Sequence, residues 1–442
     1  MQANWGVIGG GVLGQVTALR LAEQGHRVTL VEAADDIGGL AASWTVGDVT
    51  WDKFYHVILP FDDRLLALLD ELGLSDAVEW KRTKTGFFAD GRLSPLNGAL
   101  DYLRLPVLGL VAKLRLAAHL MLAARIRNGA PLEQVRVGDW LTKYSGRRAY
   151  ERVWQPLLRA KLGENSRIAS AAFIWASIRR LYLARQGSEK AEVLGYVSGG
   201  GYRRILDALA ERLRDKGVKI VVGRKVTAIT SGSECHFVDT AHGGWVFDRV
   251  VSTLPAPVTA KLCQGLTEAE VERLNAVTYQ GIICASVVLD RPLAGNYLTY
   301  LTDPDLPFTA IVETSALTGA FDGKTLVYLP RYVTQDDPYW GLDDDELRQQ
   351  FVEGLRAVHP DIPEDAVQAF RVARVRHVMA VPTVGYRDIA PPVTTSVPGL
   401  YVVNSAQIID GTLNVDATLG VLDRALPELK TGAVVPRLEA AE

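Results

Sequence analysis

The sequence predicts an α/β fold in which a parallel-sheet domain, built from discontinuous segments, is interleaved with an α+β domain that includes a helical insertion. Three observations point there. The chain opens with strand, glycine turn, helix and strand in "NWGVIGGGVLGQVTALRLAEQGHRVTLVE". A second glycine-rich helix start, "GYVSGGGYRRILDALAERL", follows near residue 200. Between them, helical periodicity runs from the mid-nineties to about Gln186.

The opening unit carries the most information. Val7 and Ile8 end an apolar run, and Gly9, Gly11 and Gly14 then complete G-x-G-x-x-G ahead of an amphipathic helix. The first glycine permits a tight turn, the second lets backbone approach a pyrophosphate, and the third lets helix and strand pack closely. Free N–H groups and the dipole at the helix N-terminus favour the phosphates. Gly25 stops the helix, and "RVTLVE" forms a second strand ending in Glu32, placed to accept from the adenosine ribose hydroxyls. Its carboxylate would repel a ribose phosphate, which disfavours NADP and leaves NAD and FAD open at this point.

Composition sets the frame for the rest. With 442 residues, 48% of them hydrophobic, the chain can form a large core and is expected to hold two interwoven domains. A net charge of -3, from 48 basic and 51 acidic residues mixed along the chain, leaves no footprint for nucleic acid. Cys235, Cys263 and Cys284 have neither metal-ligand spacing nor a disulfide pattern, and read as buried apolar residues in a reducing compartment. No metal is expected. The first strand starts near Asn4 without the segments of a secretory signal, so a cytoplasmic protein is expected.

Beyond Glu32, "EAADDIGGL" places Gly38 and Gly39 a short loop after the acid. This E-x-x-x-x-x-G-G resembles the extended FAD signature of the flavin amine oxidase, protoporphyrinogen oxidase and phytoene desaturase superfamily. The resemblance implies a Rossmann-type FAD-binding domain, FAD as the cofactor, and a loop that folds back along it. Many members have Arg after the paired glycines, where this chain has Leu40. "GYVSGGGYRRILDALAERLRDKGVKIVVGRKVTAI" resembles the second FAD segment, which would set the Val226 backbone against adenine. "PGLYVVNSAQIIDGTLNVDATLGVLDRALPEL" resembles the C-terminal signature. On that likeness Asp410 lies near the ribityl or pyrophosphate, and the Val415 N–H near a flavin carbonyl. A helix N-terminus there suits the negative charge of a reduced flavin. Asn404-Ser405 and Val421-Leu422 stand where relatives often have Gly-Asp and Ser-Gly.

These segments divide the chain into FAD-binding parts at 1–80, 190–258 and 393–442. The remaining parts are a mostly helical substrate region at 81–189 and a sheet region at 259–392. Within them, "GFFADGRLSPL" has the Asp90-Gly91 hairpin signal, and "DDDELRQQFVEGLRAV" reads as an acid-started helix. "LDYLRLPVLGLVAKLRLAAHLMLAARIR" is apolar but too interrupted by charge to span a bilayer. It is either a buried helical hairpin or a helix resting on a membrane, so peripheral membrane contact through residues 100–127 stays open.

An FAD enzyme needs little acid–base machinery, because the flavin accepts the electrons. His56 in "FYHV" is a candidate acid/base or orienting group, or else a structural histidine. Lys161 in "RAKLGEN" could reach the site through a water or bind an anionic substrate, or be a solvated helix lysine. Arg376 alternates with Arg374 and could meet substrate, or belong to a salt-bridged strand face. Three functions compete. The first is an FAD-dependent oxidoreductase removing hydride from a bulky, apolar small molecule. The second is a non-redox flavin isomerase resembling UDP-galactopyranose mutase, with Arg203, Arg331 and Arg376 as candidate diphosphate ligands. The third is a non-catalytic protein resembling the Rab GDP-dissociation inhibitors, disfavoured by the intact glycines, Glu32 and C-terminal segment.

Overall fold

A computed structural model of the chain describes residues 2–46, 49–97, 99–104, 107–183, 185–186, 191–232, 235–320, 323–409 and 412–431. Strands Lys219–Val221, Arg27–Val31, Asn4–Ile8, Arg249–Ser252 and Leu400–Val402 lie side by side, in that order, in a five-stranded sheet. Every pairing in it is parallel. Parallel sheets need cover on both faces, which is why these strands are apolar almost throughout. On one face Trp5, Val7 and Leu30 pack against Leu19, Leu206, Leu209 and Leu422 from helices Val12–Glu23, Tyr202–Asp215 and Val415–Thr431. On the other, Ile8, Val31 and Val250 meet Ile229, Val238 and Phe247 of a small, mostly antiparallel sheet.

A second, seven-stranded sheet runs Val367–Ala380, Tyr279–Leu289, Thr325–Val333, Ala310–Glu313, Leu298–Leu301, Thr85–Ala89 and Arg92–Pro95. The last two strands form the expected hairpin. Asp90 and Gly91, at φ 50° and 70°, make the paired positive-φ turn that suits a twisted ribbon. The hairpin joins the sheet through parallel pairing of Thr85–Phe88 with Leu298–Leu301. Residues in the 81–189 stretch therefore contribute strands as well as helices.

Strand Tyr279–Leu289 is buried along its whole length, and its two faces meet different layers. Ile283, Ala285, Val287 and Leu289 pack under Leu347, Phe351 and Leu355 of helix Asp344–Val358, whose start is fixed by an Asp343–Glu346 capping box. Ile282, Cys284 and Val288 face a helical layer formed by Leu110–Arg125, Val137–Ser145, Gln155–Leu162 and Ala171–Leu183. Helix Leu110–Arg125 buries Lys113, Leu116, His119 and Ala123 and leaves its opposite side in solvent. Among the described residues, no helix is long and apolar enough to cross a membrane.

An ion pair between the buried Asp62 carboxylate and the partly exposed Arg180 guanidinium ties the helical layer to the parallel-sheet domain. Asp62, at the start of helix Asp63–Glu71, is 2% exposed, accepts from the Leu59 N–H at 2.8 Å and pairs with Arg180 at 2.9 Å. Deleting one partner strands the other charge, which costs several kcal/mol where water cannot replace it. Asp62→Ala is expected to destabilise the protein by about 3 kcal/mol, with a smaller loss for Asp62→Asn. A thermal melt of each variant checks this; an unchanged Asp62→Ala midpoint would contradict it.

Candidate functional site

The glycine turn sits where the first strand delivers the chain into helix Val12–Glu23. Gly9 has φ 111°, and a Cβ on Gly14 would lie 1.8 Å from the Gly9 carbonyl oxygen. Only glycine lets the helix settle so close to the strand. Gly11 faces open space, with the Gly39 Cα the nearest atom at 4.0 Å from where its Cβ would stand. The helix has neither a capping side chain nor an acidic residue in its first turn, so its leading N–H groups remain for an anion. The next loop returns to this turn: the Gly38 N–H donates to the Gly10 carbonyl at 2.8 Å, and a Cβ on Gly39 would meet the Gly11 Cα at 3.1 Å. Bare backbone on both sides makes a cradle that fits a pyrophosphate.

Glu32 points into the same turn. Its carboxylate accepts from the Gly10 N–H at 2.6 Å and from the Ala34 N–H at 2.8 Å. Val226 is buried beside Ile8 and Val31, at the same end of the sheet. Gly9, Gly11, Gly14, Glu32, Gly38, Gly39 and Val226 are thus gathered at the carboxyl end of the parallel strands, where ligands of such sheets bind. Val415 begins helix Val415–Thr431, which packs against helix Val12–Glu23. Asn414 accepts from the Ala417 N–H in its first turn at 2.8 Å. Asp410 lies outside the described residues. Of the residues that differ from relatives, Leu40 packs on the apolar core, and Asn404 donates to the Leu254 carbonyl at 2.9 Å.

A chain of aromatic contacts leads from the second glycine turn to the helical layer. Gly199, Gly200 and Gly201 all have positive φ, and a Cβ on Gly201 would stand 3.3 Å from the Asp52 carboxylate. His56 lies between that carboxylate, 3.7 Å from its Nδ1, and the Tyr202 ring, 4.4 Å between centroids. His56 Nδ1 and Asp52 Oδ1 are buried without hydrogen-bond partners. Tyr328 donates to the Asp52 carbonyl at 2.6 Å and its ring lies 6.2 Å from that of Tyr55. The Tyr55 and Tyr332 hydroxyls are 3.0 Å apart, and the Lys161 Nζ sits 3.5 Å above the Tyr332 ring. Burial pushes the Tyr55 phenol up to about 12, so it stays protonated, and pushes the Lys161 ammonium down to about 7.

His56 and Lys161 therefore belong to one contiguous tract, and Arg376 does not. Arg376 is exposed, lies 4.5 Å from the Trp340 ring centroid and donates to the Gln335 carbonyl at 3.0 Å. Its neighbour Arg374 pairs with Asp344 at 2.6 Å, at the start of the helix covering the far face of the sheet. Arg203 is held between Asp36 and Asp207, and Arg331 lies over the Tyr339 ring and near Asp337. Sequence reasoning passed over Asp52, Tyr55, Tyr328 and Tyr332. Tyr328 and Tyr332 are four apart in one strand, an even spacing that puts both on one face.

Gly14→Ala tests the cradle. It is expected to fold with loss of bound FAD, measured as flavin fluorescence released on denaturation, because the added methyl displaces the Gly9 carbonyl. Full flavin content in that variant would contradict the placement.

The sequence profile of the flavin containing amine oxidoreductase family matches residues 14–413. Coproporphyrinogen III oxidase of Mycobacterium tuberculosis (strain ATCC 25618 / H37Rv) is 25% identical over 451 aligned positions, covering 95% of this chain and 96% of the relative. The 15-cis-phytoene desaturase of Solanum lycopersicum is 26% identical over 242 positions, covering 50% of this chain and only 41% of the relative. In fold, the chain is similar to reduced UDP-galactopyranose mutase, with a TM-score of 0.75, 17% identity, and 97% and 96% of the two chains covered. Intact glycine turns, a carboxylate at the second strand and a match across most of the chain agree: the protein belongs to the flavin containing amine oxidoreductase family.

Proposed function

We propose that the enzyme takes hydride from a bulky, largely apolar small molecule of the kind handled by desaturases and porphyrinogen oxidases. The observation that carries this reading is the aromatic tract from Tyr202 through His56, Tyr328, Tyr55 and Tyr332 to Lys161. It offers aromatic surface and few charges, which suits a substrate oriented by packing. FAD, when bound, supplies the hydride acceptor. Gly9, Gly11, Gly14, Gly38 and Gly39 would seat its pyrophosphate, Glu32 its ribose, the Val226 backbone its adenine, and Val415 with Asp410 its far end. On the substrate side, His56 orients or moves a proton against Asp52, and Lys161 contacts substrate. Arg376 braces the outer sheet face.

The isomerase reading is less well supported. A diphosphate needs uncommitted cations, preferably guanidinium forks, and Arg203, Arg331 and Arg376 already have partners. Anaerobic mixing separates the classes: a carotene precursor or a porphyrinogen should bleach the 450 nm flavin band within a turnover. Turnover of a nucleotide sugar only after dithionite reduction would favour the isomerase instead.

Helix Leu110–Arg125 supports contact with an anionic lipid surface. Leu110, Val111 and Leu114 are 65%, 80% and 58% exposed, and Met121 and Leu122 continue the stripe two turns on. Residues 99–150 hold nine Lys or Arg against three Asp or Glu, in a chain whose net charge is negative. An apolar stripe within a basic surround matches acidic headgroups. Co-sedimentation with phosphatidylglycerol vesicles, weakened by Val111→Asp and by high salt, is the expected result. Equal recovery with neutral phosphatidylcholine vesicles would contradict it.

A further inference from the structure

The sheet face beneath Lys161 carries a second polar group that no other part of the site explains. Gln280 is fully buried on strand Tyr279–Leu289. The register against strand Val367–Ala380 is irregular between Gln280 and Ile282, but Gln280 bonds to Asn165, just after helix Gln155–Leu162, and so looks toward the helical layer as Ile282 and Cys284 do. Ile282 is the register partner of Tyr332, whose ring lies under the Lys161 ammonium. Gln280 is thus two residues from the partner of Tyr332, a diagonal step of roughly 7–8 Å across the sheet.

Their hydrogen bonding defines what they lack. Asn165, four residues beyond Lys161, donates its Nδ2 to the Gln280 Oε1 at 3.0 Å. That contact uses the acceptor of the amide and turns its donor away, and the Gln280 Nε2 is buried without a partner. None of the described carboxylates pairs with Lys161, which is why burial drives its ammonium down to about 7. Tyr55 and Tyr332 add a shared hydroxyl pair in which one proton satisfies the other oxygen and one remains to donate. Among these described residues, the patch offers several donors and one cation, Lys161.

We propose that Lys161 and Gln280 form an acid-binding subsite, and that the substrate is a bulky apolar molecule carrying a carboxylate. A carboxylate is acceptor-only and takes several donors at once, so it satisfies the orphaned amide and keeps the lysine charged. A diphosphate would need further cations, and an amine substrate would meet like charge. The proposal rests on the oxidoreductase reading, since it places this patch on the substrate side of the flavin.

The holoenzyme tests it with 2-naphthylacetate and its methyl ester, titrated against the flavin absorption band and by equilibrium dialysis. The acid is expected to bind at least about 10-fold more tightly than the ester, the fold-change that one charged hydrogen bond supplies. The preference should vanish in Lys161→Met, shrink in Gln280→Leu and partly return in Lys161→Arg, with flavin content confirming that each variant folds. Acid affinity should also fall above neutral pH while ester affinity stays level. Equal affinities for acid and ester, or a preference that survives Lys161→Met, overturn the subsite. The two readings fail separately: reduction of the flavin by a neutral polyene without acid preference sinks the subsite alone, whereas acid preference in a flavin that no reductant bleaches sinks the oxidoreductase reading.

Discussion

The carbonyl oxygen of Gly9 occupies the place where any side chain on residue 14 would begin, 1.8 Å from an ideal Cβ. Much of the site depends on that contact. It seats helix Val12–Glu23 directly against the end of the central strand, which aims the uncapped first turn at the open edge of the sheet. Gly38 and Gly39 can then fold back onto Gly10 and Gly11, because no side chain stands between the two backbones. Strand order completes the convergence. Asn4–Ile8 lies between Arg27–Val31 and Arg249–Ser252, so segments separated by some two hundred residues end at one crevice.

The second sheet divides labour between its faces. Toward helix Asp344–Val358 it buries aliphatic side chains, with Arg374 engaged by Asp344 and Arg376 by Trp340 at the margin. Toward the helical insertion it presents Gln280, Cys284, Ser286, Tyr328 and Tyr332; Ser286, Tyr328 and Tyr332 are hydrogen-bonded, and the Gln280 Nε2 is left without a partner. Unpaired polar atoms inside a protein cost free energy unless a ligand or water meets them. The unpaired Gln280 Nε2 lies on the face that also carries Tyr332 beneath Lys161, the face proposed to meet substrate.

The parallel sheet was legible in the sequence because its signals are local. Gly9, Gly11, Gly14 and Glu32 lie within one strand–helix–strand unit, and Asp90-Gly91 dictates its own hairpin. The aromatic tract was not, since it is made by pairing across long separations: Tyr55 meets Tyr332, and Asn165 meets Gln280. Strand Tyr279–Leu289 is buried on both faces, so hydrophobic alternation carries no information about which side of it meets substrate. Arg376 shows the same limit. Its spacing from Arg374 reveals a shared face, but only the packing of helix Asp344–Val358 reveals that this face lies away from the tract. Helix Leu110–Arg125 packs one side on the core and leaves the other exposed, a division its interrupted apolar composition did not fix.

The tract ending at Lys161 is proposed to border the flavin. A pH titration of the bound flavin's absorption spectrum tests it most directly, because a lysine that loses its charge near neutrality changes the field at an adjacent ring. An inflection near pH 7 is expected in the wild type, absent in Lys161→Met. A spectrum that does not change through neutral pH, or an inflection that persists without the lysine, would contradict the account.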